Sequence, residues 1–170
     1  MFLFTKRMCV FALAGIGLYA QTTTAPADLV THTTGLVGLA EGQTAQFNAL
    51  NPGDGGTACT GVLNFIAADG TVFKSTTVTV GPGLGQHIDL DSVADLALAA
   101  GARRDIRGTI TMPAAPASTA TSTSVSATTP VKAACRLIGT LEIYTTSTGH
   151  TLVTLGATHR VVTPVASPAS

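Results

Sequence analysis

Alternation of apolar and polar residues is the main pattern of this chain after residue 30. In residues 44–49, Ala45, Phe47 and Ala49 point one way and the residues between them are polar. A period of two is typical of a strand with one buried and one exposed face. The same pattern predicts further strands over residues 59–67, 86–91, 105–112 and 135–144. Residues 31–39 are predicted as a strand from their Thr, Val and Leu content, and residues 71–80 and 150–162 as strands that return after hairpin turns. We therefore expect an all-β protein.

Turn residues separate these predicted strands. Asp69-Gly70 predicts a tight hairpin turn, because glycine adopts the positive φ that such a turn requires. Residues 51–56 and 81–83 are loops rich in glycine and proline. Short strands at this spacing indicate an antiparallel β-sandwich of about seven to nine strands. A small closed β-barrel is the second architecture considered.

One segment has the period of a helix instead. Its apolar residues fall at i, i+3, i+4 and i+7: Val93, Leu96, Ala97 and Ala100. Ser92 with Asp95 resembles a capping box, and Gly101 is suited to end a helix. The sequence predicts one short helix over residues 92–100.

The N-terminus has the pattern of a cleaved signal peptide. A positive pair at residues 6–7 precedes an apolar run over residues 8–19, shorter than the roughly 20 residues of a membrane-spanning helix. We expect cleavage after Ala20, which removes residues 1–20, or after Ala27. The alternative is a buried N-terminal strand or helix. Export to the periplasm or cell exterior follows from the first interpretation.

Residues 28–163 have a length that suits a single β-sandwich domain. Residues 113–130 contain Pro, Ala, Ser, Thr and one valine, which is too little apolar surface to offset the entropy of ordering. We predict a mobile loop there. It either carries O-linked sugar or is simply disordered. Residues 164–170 are predicted to be a disordered tail.

Two cysteines, Cys59 and Cys135, remain after signal cleavage. An even number in an exported protein predicts a disulfide. Both lie on the apolar faces of predicted strands, so the bridge would join an early strand to a late one across the sandwich. Two buried free thiols are the alternative.

Charge limits the classes of partner. The chain has nine basic and nine acidic residues, and loss of Lys6 and Arg7 leaves an excess of acidic residues. We expect no nucleic-acid partner for so weakly charged a chain. The basic cluster Arg103, Arg104 and Arg107 is interpreted as the solvated start of a strand. No further apolar run predicts a membrane span in the mature chain.

Several short motifs between residues 36 and 90 resemble those of bacterial secreted immunoglobulin-like modules. They are Glu41-Gly42-Gln43-Thr44 with Phe47, Leu50-Asn51-Pro52-Gly53, Asp69-Gly70 and Gly81-Pro82-Gly83. The resemblance implies an immunoglobulin-like β-sandwich. Such modules serve adhesion, spacing, carbohydrate binding and envelope assembly alike, so the resemblance implies a fold without an activity.

One set of residues along the chain is a candidate metal site. Alternation places His87, Asp89 and Asp91 on one outward face. Calcium takes six to eight oxygen ligands, so these residues would need further ligands, and a solvated strand edge is the alternative. His150 and His159 flank a predicted strand, but zinc would also require other ligands. We predict no cofactor.

No catalytic residue is predicted. The chain lacks a Gly-x-Ser-x-Gly motif, and Glu41 and Glu142 lie at solvated positions. We expect a non-catalytic module with a binding, adhesion or structural role and a protein or glycan partner at exposed strand edges. The alternatives are a carbohydrate-binding domain, with the outward Tyr144 as its ligand-binding residue, and a small hydrolase or metal-dependent enzyme.

Overall fold

A computed structural model describes residues 28–53, 56–114 and 135–163 of the protein, which form two antiparallel sheets. In chain order the strands are β1 (Leu29–Thr33), β2 (Val37–Ala40), β3 (Gln43–Leu50), β4 (Cys59–Ala67), β5 (Val72–Val80), β6 (Gly85–Asp91), β7 (Arg103–Pro113), β8 (Ile138–Thr145), β9 (Thr151–Gly156) and β10 (His159–Thr163). The prediction of an all-β protein is confirmed.

The two sheets are open. The first has the order β10-β1-β7-β4-β5, with β2 also paired to β7, and the second has the order β6-β3-β8-β9. Within the described residues the outermost strands of each sheet pair on one side only, so the closed-barrel alternative is wrong. The sheets face each other across a shared apolar cluster, as in a β-sandwich.

The core consists of inward-facing residues that the alternation predicts. Phe47 of β3 and Phe65 of β4 come from opposite sheets, and their rings pack edge to face with centroids 6.3 Å apart. Other fully buried core residues are Leu39, Leu63, Leu90, Ile106, Ile110 and Leu141. Gly108 of β7 lies directly against the Phe47 ring, so the missing side chain makes room for that ring.

A disulfide between Cys59 and Cys135 connects the two layers. Cys59 is the first residue of β4 in the first sheet, and Cys135 lies in the segment that leads into β8 of the second. Their Cα atoms are 5.3 Å apart, within the usual range for a bridged pair. The predicted pairing is confirmed, whereas the placement of Cys135 on a strand is wrong.

Residues 92–96 form turns and residues 97–99 are irregular, so the predicted helix over residues 92–100 is wrong. The segment makes a hydrogen bond of helical type from Ala97 N to Val93 O, at 3.0 Å. It cannot continue because Ala97 has a φ of 50°, and Leu98 N then bonds back to Ser92 O at 2.9 Å. Such a back-bond is typical of the end of a helix, so the segment stops after about one turn.

The predicted capping residue is also wrong. The Asp91 carboxylate caps this turn, because its Oδ1 accepts hydrogen bonds from Val93 N and Ala94 N, each at 2.8 Å. Ser92 is fully buried, and its hydroxyl accepts a hydrogen bond from Gln43 N at 3.2 Å. Ser92 therefore joins the turn to β3 instead of capping a helix.

Two predicted strands are each divided. The predicted strand over residues 31–39 becomes β1 and β2, which pair with successive parts of β7 in shifted registers. Buried Thr34 lies at the break, where its hydroxyl accepts a hydrogen bond from Gly108 N at 3.0 Å. The predicted strand over residues 150–162 becomes β9 in the second sheet and β10 in the first, because the chain crosses between the sheets.

Several predictions lie outside the described residues. They concern the signal peptide, residues 115–130 of the predicted loop and the tail over residues 164–170. Pro113 is described, and it is the last residue of β7. In the described part of the chain, no helix has the length and hydrophobicity that a bilayer crossing requires.

Candidate ligand-binding face

The outer face of the second sheet carries Tyr144, the predicted ligand-binding residue. Tyr144 of β8 pairs with Thr44 of β3, which pairs in turn with Asp91 of β6. Directly opposed residues in an antiparallel ladder share a face, so these side chains form one row. The adjacent row has the same order of strands. We call the two rows the Tyr144 face: Tyr144, Thr44 and Asp91, and then Glu142, Gln46 and Asp89.

Hydrogen bonds within the sheet fix the acidic side chains of this face. Gln46 Nε2 donates to Asp89 Oδ1 at 3.1 Å. The Thr151 hydroxyl on neighbouring β9 donates to Glu142 Oε1. Each bond leaves acceptor sites on its carboxylate, since an ionised carboxylate has about four lone-pair sites. The face therefore presents oriented acceptors to a ligand.

Asp91 is held more firmly than the other acids of the face. Its Oδ2 accepts a hydrogen bond from the Thr44 hydroxyl at 3.2 Å, while its Oδ1 caps the turn. The hydrogen bonds from Ala94 N and Val93 N lower the pKa of Asp91 below its usual 3.8. Asp91 is therefore negatively charged at neutral pH.

The Tyr144 phenol is neutral. Burial raises the pKa of Tyr144 above its usual 10.0, and the nearby negative charges of Asp89, Asp91 and Glu142 raise it further. The hydroxyl therefore remains both a donor and an acceptor, beside a half-buried ring that offers apolar contact. The arrangement suits a neutral ligand rich in hydroxyl groups and disfavours an anion.

The candidate metal residues share a face of β6, as the alternation predicts. His87 Nε2 lies 3.7 Å from Asp89 Oδ2. Asp91 Oδ1 instead accepts hydrogen bonds from the backbone of the turn that follows β6. His150 precedes β9 of the second sheet, whereas His159 lies on β10 of the first. Among the described residues, no group of three or more His, Cys, Asp or Glu side chains is arranged to hold a metal ion.

Thr44 and Gln46 belong to the face but were not predicted as site residues. Their alternation with Ala45 and Phe47 does predict that they point outward. The alternation does not show that β3 pairs with both β6 and β8, and this pairing brings together residues far apart in the chain. No local pattern in the sequence reports that pairing.

A scan against protein-family models, a search of curated proteins and a search of solved structures each found no match for this chain. The chemistry of the Tyr144 face and the sequence are therefore the basis for a functional proposal.

Proposed function

We propose that this protein is an exported, non-catalytic β-sandwich module that binds a partner through the Tyr144 face. The observation that carries the proposal is the half-buried Tyr144 ring in a row with hydrogen-bonded polar side chains on the outer face of the second sheet. The two antiparallel sheets and the motifs between residues 36 and 90 support an immunoglobulin-like version of the sandwich.

Export is supported by two independent features. The first is the positive and then apolar pattern of the N-terminus. The second is the Cys59–Cys135 disulfide, because disulfides persist in the periplasm and outside cells and are rare in reducing compartments. A location in the periplasm or at the cell exterior satisfies both.

The intact mass of the exported protein tests this assignment, measured with and without reduction before thiol alkylation. We expect a chain that starts at Gln21 or Asp28, with Cys59 and Cys135 alkylated only after reduction. A mass that retains Met1, with thiols that react without reduction, would contradict export.

The partner that this face suits best is a neutral glycan. Sugars present apolar ring faces, which stack on aromatic side chains, and hydroxyl groups, which donate to carboxylates. Tyr144 supplies the ring, while Asp89 and Glu142 supply acceptors. A protein strand that pairs with an outer strand such as β6 or β9 is the second kind of partner.

A glycan array with the purified protein tests the glycan proposal. We expect saturable binding to neutral glycans. Tyr144→Ala should lower the affinity roughly tenfold or more, because it removes the ring on which the sugar stacks. Tyr144→Phe should retain most of the binding, because it keeps the ring. Leu36→Ala is the matched control, since Leu36 is exposed and lies between β1 and β2 of the first sheet, whereas the Tyr144 face is on the second. Equal binding by wild type and Tyr144→Ala would contradict the proposal that Tyr144 binds the glycan.

A further inference from the structure

A cleft of about 310 Å³ lies at the β1 and β10 edge of the first sheet, on a different sheet from the Tyr144 face. Three basic residues and two apolar residues contribute to its lining: His32, Arg136, Arg160, Val30 and Met112. None of the described residues that line it is acidic. The chemistry of the cleft is thus opposite to that of the Tyr144 face.

The topology of the first sheet builds this cleft. Val30 of β1 pairs with Met112 of β7, so the two apolar side chains share a face and form one wall. His32 is two residues further along β1 on the same face, and it pairs with Arg160 of β10. Arg136 enters from the segment next to the disulfide. Basic groups from three separate elements therefore converge beside an apolar wall.

The basic groups of the cleft affect one another electrostatically. Burial lowers the pKa of His32 below its usual 6.5, and the positive charges of Arg160 and Arg136 lower it further. On β7, Ile110 pairs with His32 and Met112 pairs with Val30. Both β7 residues are apolar and supply no compensating charge. An added anion would interact favourably with the Arg160 guanidinium and with protonated His32.

We propose that this cleft binds a small organic anion. Its charged group would contact Arg160 and His32, since the guanidinium group matches the geometry of carboxylate, sulfate and phosphate oxygens, and the positive charge of Arg136 would add to the attraction. Its apolar part, of a few carbon atoms, would lie against Val30 and Met112. The volume is at the lower end of the range for ligand pockets, about 300 to 1,000 Å³, which limits the ligand to a small molecule.

NMR titration of the purified protein with defined probes tests the proposal. The probes are butyrate, butyl sulfate and butyl phosphate, with acetate and inorganic sulfate as partners that lack the apolar chain. We expect saturable shifts of the Val30 and Met112 methyl groups and the His32 imidazole. Butyrate should bind roughly tenfold more tightly than acetate, because two further methylene groups are buried. The three butyl probes show which oxyanion the basic groups prefer.

Matched variants separate this cleft from general charge attraction. Arg160→Gln should weaken butyrate binding roughly tenfold. Arg104→Gln should not, because exposed Arg104 at the start of β7 does not line the cleft. A bound anion should raise the pKa of His32. Affinity for the anion should therefore increase as the pH falls from about 6.5 through the lowered pKa of His32 in the free protein. His32→Gln should remove this pH dependence.

Three outcomes would overturn the proposal. The first is the lack of shifts at Val30 and Met112 with millimolar butyrate. The second is an equal loss of affinity in Arg160→Gln and Arg104→Gln, which would indicate nonspecific attraction. The third is equal affinity for acetate and butyrate, which would show that the apolar wall takes no part. All three leave the Tyr144 face untested, so the two proposals fail independently.

Discussion

Replacement of both bridged cysteines, Cys59→Ala with Cys135→Ala, is expected to lower the free energy of unfolding by up to about 4.5 kcal/mol. The disulfide joins residues 76 positions apart, and removing it restores the entropy of a long open loop to the unfolded chain. Urea denaturation measures the effect as a lower midpoint. The slope should increase as well, because the unfolded chain becomes less compact without its crosslink.

The reduced wild-type protein is the matched control for this variant. Cys59 is buried, so Cys59→Ala also removes a sulfur atom from the core, and that loss is separate from loop entropy. Reduction keeps both side chains and breaks only the bond. We expect reduced wild type to lose most of the stability that the double variant loses. Equal stability of the reduced and oxidised forms would contradict a stabilising role for the bridge.

Period-two alternation predicted the strands and their inward residues because burial on one face of a sheet is a local property. The alternation predicts that Phe47 and Phe65 face inward, and both are fully buried. Thr44 and Thr109 occupy outward positions but are only 5% exposed. Side chains on neighbouring strands cover them, as Asn64 covers Thr109 through a hydrogen bond of 3.3 Å. Strand pairing, and not the pattern within one strand, determines that burial.

The predicted helix failed because local periodicity competes with local hydrogen bonding. Val93 and Leu96 have helical spacing, yet Val93 is 51% exposed and contributes little to a buried face. Asp91 starts the turn and Ala97 ends it with a positive φ. Asp residues bond readily to nearby backbone amides, which favours turns over longer helices.

The two candidate sites differ in how much of each could be predicted. The outward direction of Tyr144 followed from alternation, but its row required the pairing of β8 with β3. His32 and Arg160 show no local pattern that connects them. They meet because β10 returns to pair with β1, near the start of the described chain. A charged cleft built from such distant strands is outside the reach of sequence periodicity.

The contact between Gly108 and Phe47 predicts the second large effect, which is a loss of stability in Gly108→Ala. A Cβ atom at residue 108 would lie 2.5 Å from Phe47 Cδ2, closer than two carbon atoms can approach. The ring cannot move away easily, because it packs against the Phe65 ring and lies so close to Gly139 that a Cβ atom there would be 3.0 Å from Phe47 Cζ. Overpacking of a buried site costs about 1 to 3 kcal/mol, more than alanine gains over glycine in a strand.

Chemical denaturation of a double-mutant cycle isolates this contact. Phe47→Leu removes part of the ring, so Gly108→Ala should cost less in the Phe47→Leu background, with a coupling of about 1 kcal/mol or more. Gly35→Ala is the matched control, because a Cβ there meets nothing within 4 Å and should change stability by less than about 0.5 kcal/mol. Strictly additive losses of stability in the cycle would show that contact with the Phe47 ring is not the reason why Gly108→Ala destabilises the protein.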